Sequence, residues 1–90
     1  MNGLGNVEIM EGTISSVEGI FDMIAANLMS EVLIEIAPEI ASRLETGGTA
    51  LLSGMLVGQE GGVIAAMEDA GLTVREQSVD DRCVSLVLTR

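Results

Sequence analysis

Asn27 is the residue whose type and place most invite chemistry. It is a lone amide on an apolar run, with Met23-Ile24-Ala25-Ala26 before it and Leu28-Met29 after it. An asparagine side chain offers a carbonyl acceptor and an amide with two N–H donors. This one falls where a buried-strand pattern gives way to an amphipathic helix. Ligands of open parallel sheets bind in the crevice outside the carboxyl ends of the strands, so Asn27 is a candidate ligand contact. The other reading is a turn or helix-cap residue, roles that asparagine often fills. The pattern leaves both open.

Other chemistry is scarce. There is no histidine and one cysteine, Cys83, so the common zinc ligand sets and any Ser/His or Cys/His nucleophile pair are unavailable, and no metal site is expected. Asp80 and Asp81 are adjacent, so on a strand their side chains diverge, and a polar hairpin turn accounts for them better than a cation site. Gly58, Gly61 and Gly62 do not follow the G-x-G-x-x-G spacing of a dinucleotide loop. The six methionines read as aliphatic filler or flexible contact surface.

The elements that must position Asn27 follow from periodicity. Val7 to Met10 reads as a short strand with Glu11-Gly12-Thr13 as its end turn, and Ser15 to Gly19 as a loop or short helical turn. Phe21 to Ala26 is apolar on both sides, the pattern of a central parallel strand covered by helices on both faces. Ser30 is placed to cap a helix in which Val32-Leu33, Ile36-Ala37, Ile40-Ala41 and Leu44 recur at helical spacing, with Glu31, Glu35 and Glu39 on the wet face. Pro38 should kink or restart that helix, Glu39 and Arg43 should pair at i and i+4, and Gly47-Gly48 should end it. Thr49 to Ser53 is the next strand, and Ser53-Gly54 sits beside Asn27 if the two strands are neighbours. Gln59 to Ala70 forms a second helix with Val63, Ile64, Met67 and Ala70 inward, closed by Gly71. Leu72 to Val79, a turn at Asp80-Asp81-Arg82, and Cys83 to Thr89 form an antiparallel pair with Val84, Leu86 and Leu88 on one face.

Composition limits the partners. The 90 residues make one small α/β domain, 48% hydrophobic, with Phe21 the only aromatic, so the core must be aliphatic. Fourteen acidic residues against four arginines, and no lysine, leave a formal charge of −10. A phosphate backbone needs a basic patch that these arginines cannot build, so nucleic acid is not an expected partner. The charge would steer a basic protein, or simply keep a solvated surface soluble. A lone cysteine excludes an intrachain disulfide and makes a cytoplasmic setting the expectation. Met1-Asn2-Gly3 lacks the basic and apolar regions of a secretory signal, and no apolar run approaches the ~20 residues of a membrane span.

Phe21-Asp22, Ala26-Asn27-Leu28, Ala37-Pro38-Glu39, Gly47-Gly48 and Ser53-Gly54 stand in an order and approximate spacing that resembles the C-terminal part of the catalytic domain of the ribosomal protein L11 methyltransferase family. Asn2 to Ile14 resembles that family's third strand and the loop before it, so the likeness runs from Asn2 to Leu88. The resemblance implies a partial Rossmann-like methyltransferase-type sheet of order β-β-α-β-α-β-β within a three-layer α/β/α arrangement. It implies S-adenosylmethionine as cofactor, contacted by Asn27, Ala26, Glu11, Gly12 and Thr13, although a plain turn remains the other reading of the last three. It also implies that Asn27 and Leu28 accept hydrogen bonds from an incoming amine, a lysine or N-terminal amine of a basic ribosomal protein.

By the same resemblance, the family's glycine-rich cofactor loop, the acidic residue ending its second strand and its N-terminal substrate domain lie upstream of Asn2. Residues 1–90 are then a partial domain, expected to bind the cofactor weakly or not at all on its own. The family's first two strands also lie between those resembled by Val7 to Met10 and Phe21 to Ala26. Without them, Phe21 to Ala26 keeps an open edge and one uncovered apolar face, which invites a homo-oligomer or a partner chain. Alternatively the sheet closes, with Val7 to Met10 pairing beside it. A competing function is a non-catalytic α/β interaction module, or a truncated fragment that self-associates.

Overall fold

Among the described residues, two helical crossovers that step the same way across one sheet determine the architecture. The structure is a computed structural model that describes the backbone of residues 6–9 and all of residues 19–90. Strands β1 (Asn6–Ile9), β2 (Phe21–Asn27), β3 (Leu44–Leu56), β4 (Thr73–Asp80) and β5 (Cys83–Thr89) form one sheet in the order β1-β2-β3-β5-β4. Helix α1 (Ser30–Arg43) joins β2 to β3, and α2 (Glu60–Asp69) joins β3 to β4. β1, β2 and β3 are parallel, and β5 is antiparallel to both β3 and β4, so β4 runs parallel to β3. Both crossovers therefore progress from β2 toward β4. Right-handed connections that step in one direction place their helices on one face of the sheet.

Burial follows that rule. Ile24, Ala26, Ala50, Leu52, Val84, Leu86 and Leu88 are buried in one cluster with Leu33, Ile36 and Ile40 of α1 and Val63 and Met67 of α2. On the other face Met23, Ala25, Thr49 and Val87 are half-buried, and Leu51 is 36% exposed. Among the described residues the helices cover Phe21 to Ala26 on one face, so these residues form two layers of the α/β/α arrangement, and the third is not among them. Composition made β2 look doubly buried, but crossover handedness decides which face the helices reach.

The edge of β2 is not open. β1 lies parallel beside it, pairing Asn6 with Met23 through to Ile9 with Ala26, so of the two expected arrangements the sheet that closes is the one found.

Three local expectations yield to tertiary burial. Met29, not Ser30, is the N-cap of α1, with an extended backbone and no side-chain cap bond. Ser30 is the first helical residue, buried, and its hydroxyl is taken by a tertiary partner. Pro38 sits inside an uninterrupted α1, because the buried side formed by Leu33, Ile36, Ala37 and Ile40 holds the helix through the missing rung. Gly47-Gly48 does not end α1. The helix gives way at Leu44, whose extended backbone starts β3 opposite Phe21 and whose side chain is fully buried. Gly47, at φ +86, lies instead in the irregular stretch where the β2–β3 register shifts, and its N–H donates to the Arg90 carbonyl.

Other expectations hold. Arg43 and Glu39 approach to 3.8 Å. Gly71 closes α2 by donating to the Glu68 carbonyl while Leu72 donates to that of Met67, the paired bonds of a Schellman motif with Leu72 and Met67 both buried. Asp81-Arg82 makes the turn between β4 and β5.

Leu51 and Leu52 are adjacent residues of one type on opposite faces, so they test the two-layer arrangement. Leu52→Ala should cost about 2–5 kcal/mol, and Leu51→Ala about 1 kcal/mol. Equal costs in urea unfolding would mean that the second face is covered as fully as the first.

Candidate functional site at the carboxyl edge of the sheet

Each parallel strand runs toward the helix that follows it, so the carboxyl ends of β2 and β3 and the first turns of α1 and α2 share one edge. There Asn27 pairs with Ser53, and the Leu28 N–H donates to the Ser53 carbonyl at 2.9 Å, extending the ladder past the end of β2. The next residue of β3 is Gly54, at φ +96, in a region that side chains rarely adopt. A Cβ built there would lie 2.5 Å from the Leu28 carbonyl oxygen and 2.8 Å from Asn27 Oδ1. The Leu28 carbonyl, the Leu28 amide nitrogen, also 2.8 Å from that Cβ position, and Asn27 Oδ1 thus close on Gly54, an approach that only glycine allows.

Asn27 is exposed and is the last residue of β2. It neither caps α1, whose N-cap is Met29, nor has positive φ, since Asp81 is the one non-glycine with that conformation among the described residues. Its amide is therefore presented at the edge without a capping duty. The Leu28 side chain is buried, which turns that residue's contribution to the edge over to its backbone. Ala26 is 2% exposed and belongs to the core cluster beneath the helices, so its side chain does not face the crevice. Glu11, Gly12 and Thr13 lie outside the described residues.

One feature of the edge escaped sequence reasoning. The Ser30 hydroxyl donates to Gln59 Oε1 at 3.2 Å, and the Leu56 N–H donates to the same oxygen at 3.2 Å. The signal available was the polar Gln59 at the start of α2, shortly after β3 ends at Leu56, but its partner lies 29 positions away. Glu60 Oε1 accepts from the Gly58 N–H at 2.7 Å. Glu31 and Glu60 occupy the first turns of the two helices, where carboxylates are favoured by the helix dipoles and make this edge acidic. Among the described residues no group of three or more His, Cys, Asp or Glu side chains is placed to hold a metal ion.

A cavity of about 360 Å³ lies elsewhere, between the C-terminal halves of α1 and α2, lined by Pro38, Ala41, Ser42, Ala66, Asp69, Ala70 and Arg90. It sits toward the amino ends of β2 and β3. The Arg90 guanidinium donates to the Leu44 carbonyl. The acceptors that close on Gly54, not this hollow, mark the candidate site.

A mixed sheet in this order, with both crossover helices on one face, is part of a Rossmann-like methyltransferase-type domain. The chain belongs to the ribosomal protein L11 methyltransferase (PrmA) family, whose model matches residues 2–90. It is 45% identical over 67 residues to the ribosomal protein L11 methyltransferase of Desulforapulum autotrophicum, a match covering 74% of this chain and 22% of that relative. It is 38% identical over 87 residues to the one from Pelotomaculum thermopropionicum, covering 94% of this chain and 28% of the relative. The crystal structure of a ribosomal protein L11 methylase from Lactobacillus delbrueckii subsp. bulgaricus superposes with a TM-score of 0.82 at 25% identity, covering 88% of this chain and 41% of that one. The chain thus spans about a quarter of the length of these two curated relatives.

Gly54 and Gly58 separate close approach from backbone conformation, since both have positive φ but a Cβ at Gly58 would meet nothing within 4 Å. Gly58→Ala should cost about 1–2 kcal/mol from its backbone alone. Gly54→Ala should cost at least about 2 kcal/mol more, because the Leu28 carbonyl must move. Equal losses in thermal or urea unfolding would show that the β2–β3 crevice is not tightly closed on Gly54.

Proposed function

We propose that this chain supplies the strand-end wall of an S-adenosylmethionine-dependent protein methyltransferase site acting on a lysine or N-terminal amine of ribosomal protein L11. The observation that carries the reading is the convergence of Asn27 Oδ1 and the Leu28 carbonyl beside Gly54, in a chain of this family. The fit to the cofactor rests on the residue beside that close approach: the amide of Asn27 is exposed at the end of β2 and can both donate and accept. Asn27 and the backbone around Ala26 would hold the cofactor, with Glu11, Gly12 and Thr13 as further contacts. When bound, S-adenosylmethionine supplies an electrophilic methyl group on a sulfonium.

The chain's own residues orient the acceptor. Two uncharged oxygens accept N–H bonds of a neutral amine and leave its lone pair free to be aimed, as in-line displacement at a methyl carbon requires. The proton released by the amine passes to solvent, which reaches the exposed Asn27. The acidic edge at Glu31 and Glu60 draws a basic protein segment toward this site.

The test is a chimera in which this chain replaces the matching stretch of the Pelotomaculum thermopropionicum relative. It should transfer labelled methyl groups to ribosomal protein L11, and Asn27→Ala should lower kcat/KM by about 100-fold while shifting stability by less than about 0.5 kcal/mol, as for an exposed side chain. Full activity in that variant, or a folded chimera that leaves ribosomal protein L11 unmodified, would overturn the reading.

One observation favours a second reading, a module that pairs with another chain. Ala25, Leu51 and Val87 stand side by side across β2, β3 and β5 on the face away from the helices. If that face drives association, sedimentation at micromolar concentration should show a dimer or larger species that Leu51→Glu converts to monomer. A monomer at all concentrations would exclude it.

A further inference from the structure

Neither helix at the carboxyl edge is capped by a side chain, although polar residues stand where caps are made. The N-cap of α1 is Met29, which cannot cap, and Ser30 sits one position too late. The N-cap of α2 is Gln59, whose side chain makes no cap bond. The two polar groups are instead used on each other, Ser30 Oγ donating to Gln59 Oε1, and that oxygen's second lone pair takes the Leu56 N–H. Ser30 is the one buried polar residue among those described. Its hydroxyl is therefore committed to this bond rather than shared freely with solvent.

The connection joins the two segments that flank the candidate site. Asn27 to Ser30 leaves β2, and Gly54 to Gln59 leaves β3. The Leu28 N–H to Ser53 carbonyl bond fastens them at the strand ends, and the Ser30–Gln59–Leu56 node fastens them again where the helices begin. Between the two fastenings lie the Leu28 carbonyl and Asn27 Oδ1, against Gly54. The Gln59 N–H returns to the Leu56 carbonyl and the Val57 N–H to that of Arg82, so the clip is anchored to a segment itself tied to the β4–β5 turn.

We propose that Gln59 is a positioning residue: its side-chain carbonyl clips Ser30 to Leu56 and thereby fixes how the segment carrying the Asn27 and Leu28 acceptors seats against Gly54. Its consequence for catalysis rests on the methyl-transfer reading, whereas the clip itself does not.

Amide hydrogen exchange on this chain tests the clip without any activity. The informative probe is the Leu28 N–H, which donates to Ser53 and does not touch Gln59. Gln59→Ala should speed its exchange by about tenfold, with the Gly71 and Leu72 amides at the far end of α2 unchanged. Gln59→Glu, which keeps an acceptor oxygen in place, should restore most of the protection. Unchanged Leu28 exchange, or equal acceleration at Leu28, Gly71 and Leu72, would overturn the clip. In the chimera, Gln59→Ala should lower kcat by about tenfold with KM for S-adenosylmethionine within about threefold, and Gln59→Glu should recover it. An unchanged kcat would overturn the positioning role. A clip seen by exchange in a chimera that methylates nothing would instead indict the functional reading and leave the clip standing.

Discussion

The register that sets Asn27 opposite Ser53 is the constraint on which the carboxyl edge depends, because a shift by one residue would turn every side chain of β2 to the other face. That register buries Ile24 and Ala26 under the helices, delivers the exposed amide of Asn27 to the strand end, and brings the Leu28 carbonyl against the Cα of Gly54. A residue with a side chain at position 54 would force the two segments apart. The close approach is thus both a packing requirement of the β2–β3 pair and the origin of the acceptor pair beside it. Stability and candidate chemistry share one contact.

The crossovers add a second economy. Because both step the same way across the sheet, α1 and α2 pack on one face, bury a single aliphatic cluster, and start at the same edge. Their first turns carry Glu31 and Glu60, and their junctions with the strands carry Ser30 and Gln59. An acidic, internally fastened edge follows from handedness and from where a few polar residues fall. The opposite face of the sheet has no such partner among the described residues, and Leu51 stands there partly exposed.

Much of this was legible in the residues. The alternation of Val84, Leu86 and Leu88, the helical spacing from Leu33 to Ala41, and the closing role of Gly71 all survive, because each pattern is repeated or carries a specific backbone demand. Single-residue signals fared worse. Pro38 is absorbed by a helix held from one side by burial, Gly47-Gly48 is pre-empted by burial of Leu44 in β3, and Ser30 is drawn from capping into a tertiary bond. A capping preference of about 1 kcal/mol is outweighed by the burial of one large aliphatic side chain, and the roughly 3 kcal/mol cost of an interior proline by the several that α1 buries together. The face that β2 hides was beyond composition, since a strand apolar on both sides does not say where its helices lie. At the site, the change from apolar strand to polar Asn27 could be read directly, and so could the place of Ser53-Gly54 beside it, although β3 runs on to Leu56 rather than ending at Ser53. The Gly54 approach and the Ser30–Gln59 link could not, because both exist only through the pairing of distant segments.

The most direct test of the central claim is an amide chemical-shift map of the chimera on addition of S-adenosylhomocysteine, the product form of the cofactor. The expected result is perturbation concentrated at Asn27, Leu28, Ser53 and Gly54, with Ala66, Ala70 and Arg90 around the cavity between α1 and α2 unmoved. Shifts centred on that cavity, with the Asn27 and Gly54 amides silent at saturation, would contradict the assignment of the site to the carboxyl edge of β2 and β3.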